Sequence, residues 1–321
     1  MSQSSHPSVT DASAGTGQAR YLFVGAAIRR ILRCLACVRY RDPAKVLTPT
    51  VIGLGCVVES PLTYKTYSTM LLLIFGGYVL MAHCLAMNDW TDGTADSRDP
   101  RKINKAFLNR EVTRTEMLIL TIALGIISLW IIGTAAYHLL PLAVMIMACS
   151  LVYSFPHSRL EGKQIPFLST LMHVVTAVLM FLLGYCLWSG VDLRGVMIGT
   201  YFGLIYEAGH LILEVKDFEG DRNSGVRTYA VRFGQRPVFM AACMVTLAAG
   251  MLLGGLALTG YLPYSIAFVA LLYLPILFMF WRLRNANFTH RTARTFSKKF
   301  VNIHTIIWGL ILVINIFERL D

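Results

Sequence analysis

The sequence predicts an all-α integral membrane protein of nine transmembrane helices. They are expected as two four-helix-bundle-like halves plus one, with a cytoplasmic cap from the 2–3 and 6–7 loops. Three observations predict this class. The 321-residue chain is 55% hydrophobic and only 15% charged, too apolar for an ordinary soluble domain. Its apolar residues gather into nine runs, most near the ~20 residues that cross a hydrocarbon core. With the N-terminus in the cytoplasm, all of the 29 Lys and Arg except Lys65, Arg194 and Arg319 fall on the cytoplasmic side. That is the bias membrane topology imposes.

In chain order, residues 1–20 are rich in Ser, Thr, Gly and Ala, which reads as a disordered tail rather than a signal peptide. Residues 22–42 set Arg29, Arg30, Arg33, Arg39 and Arg41 among Ile, Leu, Val and Cys. This fits a basic amphipathic helix on an anionic membrane surface, or equally a first helical turn packed on the bundle. The transmembrane domain covers 46–318, with spans at 46–60, 67–88, 116–137, 139–155, 166–189, 194–214, 237–259, 262–282 and 300–317. Pro49, Pro141, Pro166 and Pro263 lie near span starts, where a missing N–H costs least. The net charge of +11 is carried by no compact basic domain, so a nucleic-acid partner is not indicated. Of the seven cysteines, Cys34 and Cys37 form a single CxxC without a partner pair, which predicts neither zinc nor a disulfide framework.

Two acidic clusters sit at the ends of spans 2 and 6. Asn88–Asp96 reads NDWTDGTAD, and Asp217–Asp221 reads DFEGD. On a helix, Asn88, Asp92 and Asp96 fall at i, i+4 and i+8, and Asp217 and Asp221 repeat the step, so each set shares a face. Oxygen-only ligands suit a hard cation such as Mg²⁺, which completes its shell from phosphate and water. The clusters are therefore expected to face each other and hold a diphosphate through metal ions. Carboxylates brought together repel. Arg98, Arg101, Lys102, Lys105 and Arg110 after the first cluster, and Arg159 and Lys163 in the 4–5 loop after Tyr153, would balance them. In span 6, Glu214 shares the face of Asp217 and Asp221, Glu207 lies deeper, and His210 is either a base or a hydrogen-bonded bundle histidine.

The pair NDWTDGTAD and DFEGDRNSGVRT resembles the NDxxDxxxD and DxxxD motifs of the UbiA superfamily of intramembrane prenyltransferases, with Gly225 and Thr228 following the second. YSFPHSRLEGK, from Tyr153 to Lys163, resembles that family's loop after its fourth helix. The likeness runs over residues 40–318. It implies that Asn88, Asp92, Asp96, Asp217 and Asp221 coordinate Mg²⁺ around an isoprenyl diphosphate, the four aspartates being the catalytic carboxylates. It also implies that Asn88, Arg101, Lys105, Arg159 and Lys163 contact the diphosphate, and that Tyr153 hydrogen-bonds it.

An allylic diphosphate ionises when its leaving charge is neutralised, and the carbocation must then be kept from water. Trp188, Tyr201, Phe202 and Tyr206 are the expected cation–π faces. The prenyl group would pass to an aromatic or other lipophilic acceptor, entering from the lipid bilayer. Two other readings stand beside this one. A terpene cyclase would use the prenyl chain's own double bond to attack the cation. A transporter would use the acidic clusters as an ion site, but carriers place coupling ions near the midplane on broken helices, and these clusters lie at span ends.

Overall fold

Eight helices among the described residues are long and apolar enough to cross a membrane. The computed structural model describes residues 25–26, 28–58, 63–96, 112–157, 160–284 and 288–320. In chain order the helices are α1 (Arg41–Val46), α2 (Thr48–Gly55), α3 (Tyr64–Asp96), α4 (Arg114–Ala135), α5 (Leu140–Ser154) and α6 (Pro166–Tyr185). Then come α7 (Leu193–Asn223), α8 (Tyr229–Phe233), α9 (Gln235–Leu258), α10 (Ile266–Ala270), α11 (Tyr273–Leu283) and α12 (His290–Leu320). A short hairpin, Pro156–His157 with Leu160–Glu161, joins α5 to α6. The second to ninth predicted spans correspond to α3, α4, α5, α6, α7, α9, α10 with α11, and α12.

The first predicted span, 46–60, departs from expectation. It is realised as the short helices α1 and α2, which meet at Leu47. Pro49 has no N–H for the Lys45 carbonyl, so the helix cannot run straight through. Thr48 Oγ1 donates to that carbonyl at 2.9 Å. The Tyr206 hydroxyl, from α7, reaches the Lys45 and Val46 carbonyls at 3.2 and 3.0 Å. Side chains thus satisfy what the broken helix leaves open. At eight residues, α2 rises only ~12 Å, so it cannot cross a bilayer by itself.

Small residues bring α2 against α6. A Cβ on Gly184 would lie 1.9 Å from the Thr50 carbonyl oxygen, and one on Gly53 would lie 2.4 Å from that of Phe181. Thr50 Oγ1 donates to the Met180 carbonyl at 2.7 Å across the same crossing. Glycine and a hydroxyl are the residues that let membrane helices approach this closely. α4 begins at a capping box: the Thr113 hydroxyl accepts from the Glu116 N–H, and the Glu116 carboxylate accepts from the Thr113 N–H at 2.8 Å. α7 is the central helix, packed against α6, α8, α9 and α12.

Residues 28–35 are helical, and the following segment is tied to the bundle. Arg30 pairs with Glu116 of α4, and Arg39 pairs with the buried Asp89 of α3. Ile28, Ile31, Leu32 and Leu35 remain exposed. Packing on the bundle and an open apolar face are both present.

Candidate active site

The site rests on two helices that outlast their apolar spans. α3 stays helical to Asp96 and α7 to Asn223, so each acidic motif keeps the one-turn spacing read from the sequence. Gly225, with φ of 75°, then turns the chain, a conformation glycine adopts without strain. In the connection that follows, the Ala230 N–H donates to Glu214 Oε2 at 3.1 Å. Arg232 Nη2 donates to the Gln164 carbonyl at 2.9 Å, holding the 6–7 connection to the 4–5 connection.

A cavity of about 500 Å³ opens into the bundle from these helices. Lys45, Asn88, Tyr153, His173 and His210 form its polar wall, and Met81, Ile205, Tyr206, Phe300 and Trp308 are among the apolar side chains. Asp92 from α3 and Asp221 from α7 both lie within electrostatic reach of the Tyr153 phenol, together with Glu207 and Glu214. Both acidic motifs therefore act electrostatically on one phenol, and Asn88 of the first lines the same cavity.

Asp217 stands apart, and the other predicted residues fall wholly or in part outside the described residues. Asp217 is 35% exposed and pairs with Lys216 at 3.3 Å. Asp96 is the last residue of α3, and its side chain lies outside the described residues. So do Arg101, Lys105 and Arg159 as whole residues. Lys163 belongs to the turn Gly162–Gln164, again with its side chain outside the described set. That turn packs tightly on α5, because a Cβ on Gly162 would lie 2.1 Å from the Val152 carbonyl oxygen.

Below Tyr153 lies a buried polar cluster. His210 Nε2 is 3.1 Å from Glu214 Oε1, an ion-pair distance without full hydrogen-bond alignment, and 3.3 Å from Ser169 Oγ. His173 stacks on His210 at 3.8 Å between ring centroids, and Tyr153 meets His173 edge-on at 5.0 Å. Thr170 Oγ1 donates to Glu207 Oε1 at 2.7 Å and lies 2.8 Å from the Tyr229 hydroxyl. Both readings of His210 keep a footing, since it lines the cavity and is also held by Ser169 and Glu214 within the bundle. His173 and Lys45 were not singled out by the sequence. Lys45 alone left a trace there, as the last charge before the first apolar run.

The aromatic expectations need correction. Only Tyr206 of the four lines the cavity. Trp188 is exposed, and Tyr201 and Phe202 are fully buried in the core, where the Tyr201 and Tyr273 hydroxyls lie 2.9 Å apart. Phe300 and Trp308 of α12 supply the other aromatic walls.

Among the described residues, no group of three or more His, Cys, Asp or Glu is gathered closely enough to hold a metal ion. The donors offered by the motifs are oxygens. They fit Mg²⁺, which takes one or two carboxylates and fills its shell from phosphate and water. They do not fit a soft metal, and none of the seven cysteines forms a disulfide.

A family model described as the UbiA prenyltransferase family matches residues 46–306. A UbiA homologue from Archaeoglobus fulgidus, solved with GPP and Mg²⁺, has a TM-score of 0.67 at 16% identity, over 86% of this chain and 99% of that one. A structure of digeranylgeranylglyceryl phosphate synthase has a TM-score of 0.67 at 17% identity, over 89% and 99%. An apo UbiA homologue from Aeropyrum pernix K1 has 0.66 at 18%, over 87% and 98%. No curated protein sequence matches the chain. At these identities the solved structures speak for the fold.

Proposed function

Because the chain belongs to the UbiA prenyltransferase family, we propose that it ionises an isoprenyl diphosphate with Mg²⁺ and transfers the prenyl group to an aromatic or other lipophilic acceptor, releasing diphosphate. The observation that carries this reading is a largely apolar cavity of about 500 Å³ lined by Asn88 and Tyr153, with Asp92 and Asp221 within electrostatic reach of the Tyr153 phenol. The GPP and Mg²⁺ held by the Archaeoglobus fulgidus homologue support the substrate class and the metal.

Asn88, Asp92, Asp96, Asp217 and Asp221 would hold the metal, which when bound supplies positive charge against the leaving diphosphate. Arg101, Lys105, Arg159 and Lys163 would add cationic contacts, and the Tyr153 hydroxyl would donate to a diphosphate oxygen. Asn88 would bind at the same end. The apolar wall keeps water from the carbocation, and the stacked rings of Tyr206 and Trp308, 5.9 Å apart, offer it cation–π stabilisation. A first pass through α1 and α2, a cytoplasmic N-terminus and a cytoplasmic cap over the site belong to the same reading, supported by the Lys and Arg asymmetry.

The test incubates membranes carrying the protein with geranyl, farnesyl or geranylgeranyl diphosphate, with and without phenols, and identifies products by mass spectrometry. Mg²⁺-dependent diphosphate release and a prenylated phenol are expected. Asp92→Ala and Asp217→Ala should each lower turnover by at least ~100-fold. Retained turnover in those variants would sink the metal assignment. A cyclic hydrocarbon formed without any phenol would replace transfer by cyclisation.

A further inference from the structure

The buried cluster on α6 and α7 faces the same cavity, yet holding a diphosphate gives it nothing to do. His210 lines the cavity and is otherwise enclosed, with 14% of its side chain exposed. Its Nε2 lies 3.1 Å from Glu214 Oε1, and the other Glu214 oxygen is fixed by the Ala230 N–H at 3.1 Å. His173, stacked on His210 at 3.8 Å, has a buried Nε2 with no hydrogen-bond partner among the described residues. Glu207, one turn earlier on α7, has one oxygen held by Thr170 and the other without a partner among the described residues. Two carboxylates and two imidazoles are costly inside a bundle, and unsatisfied buried polar atoms call for a reason.

Transfer of the prenyl cation to a neutral O–H or C–H acceptor releases a proton, and the largely apolar wall offers few groups to take it. Resting on the function proposed above, we infer that His210 is the proton acceptor that completes the reaction, with Glu214 as its positioning residue. The allylic C–O bond breaks, and its electron pair leaves on the diphosphate. The acceptor supplies the electron pair of the new bond to the prenyl carbon, and the proton it gives up goes to His210. The imidazolium formed is paired with the Glu214 carboxylate, one oxygen of which lies 3.1 Å from His210 Nε2. Without an acceptor, the same base removes a proton from the prenyl cation itself and leaves an alkene, whereas capture by water leaves an alcohol.

The test uses the full-length protein in lipid nanodiscs with Mg²⁺ and geranylgeranyl diphosphate alone. It reads diphosphate release and the ratio of prenyl alkene to prenyl alcohol. His210→Asn is expected to lower the alkene-to-alcohol ratio at least about tenfold. Glu214→Gln, which keeps the side-chain size, should move the ratio the same way by less. An unchanged ratio in His210→Asn overturns the inference. So does a loss of diphosphate release in step with the alkene, or a wild-type protein that yields only alcohol. If the wild type releases no diphosphate from any allylic diphosphate, the transferase reading itself fails, and this inference falls with it.

Discussion

Tyr206 shows how one side chain serves both architecture and site. Its ring stacks on Trp308 in the cavity wall, while its hydroxyl reaches the Lys45 and Val46 carbonyls. Tyr206→Phe keeps the ring and removes the donor, so it should cost about 0.5–1.5 kcal/mol, seen as a lower thermal midpoint of the purified protein. An unchanged midpoint would mean that Thr48 alone satisfies the Lys45 carbonyl. At this scale, the acidic motifs were legible because helical spacing is a local rule: Asn88 with Asp92, and Asp217 with Asp221, stay one turn apart. His173 was not legible, because its stacking on His210 joins two helices and leaves no periodic mark. Nor was the direction in which Tyr201 and Phe202 face, since the partners that bury them come from other helices.

The helices themselves were legible where apolar length decides, as in α3 to α7, α9 and α12. The first span departs from this rule, because Pro49 does not simply mark its start. It instead divides α1 from α2, inside an apolar run that gave no hint of the break. The crossing of α2 on α6 was also hidden, because glycines in apolar runs look alike until a neighbour is placed against them. Gly184→Ala tests that crossing. The added methyl would meet the Thr50 carbonyl oxygen at 1.9 Å, and backbone cannot step aside as a side chain can. A loss of about 1–3 kcal/mol is expected, measured as reduced thermal stability and reduced yield of monodisperse protein. Gly190→Ala is the control, since nothing lies within 4 Å of its Cβ position. Equal stability of the two variants would show that α2 and α6 can separate without loss.

At the scale of the whole molecule, charge asymmetry is what the proposed topology rests on, because the positive-inside bias acts on loops rather than on packing. The centrality of α7 was beyond it: which of several apolar helices sits in the middle is decided by shape, and their sequences differ little in polarity. Sidedness can be checked directly. Lys298→Cys in α12 should react with a membrane-impermeant maleimide from the cytoplasmic face, and Lys65→Cys at the start of α3 from the opposite face. Labelling of both from one face would overturn the nine-pass orientation. The native thiols Cys56, Cys84 and Cys186 are buried and should stay silent.

Gly209 gives α7 a use as a gauge. It lines the cavity, and a side chain begun there would meet only the edge of the Phe300 ring, at 3.8 Å. The helix climbs about 1.5 Å with each residue, so the interval between the acidic end at Asp221 and this notch is fixed by backbone geometry. Filling the notch should shorten the molecule that fits. Gly209→Leu is expected to shift preference toward geranyl over geranylgeranyl diphosphate when the two compete. An unaltered preference would mean that the tail is measured along α12 instead.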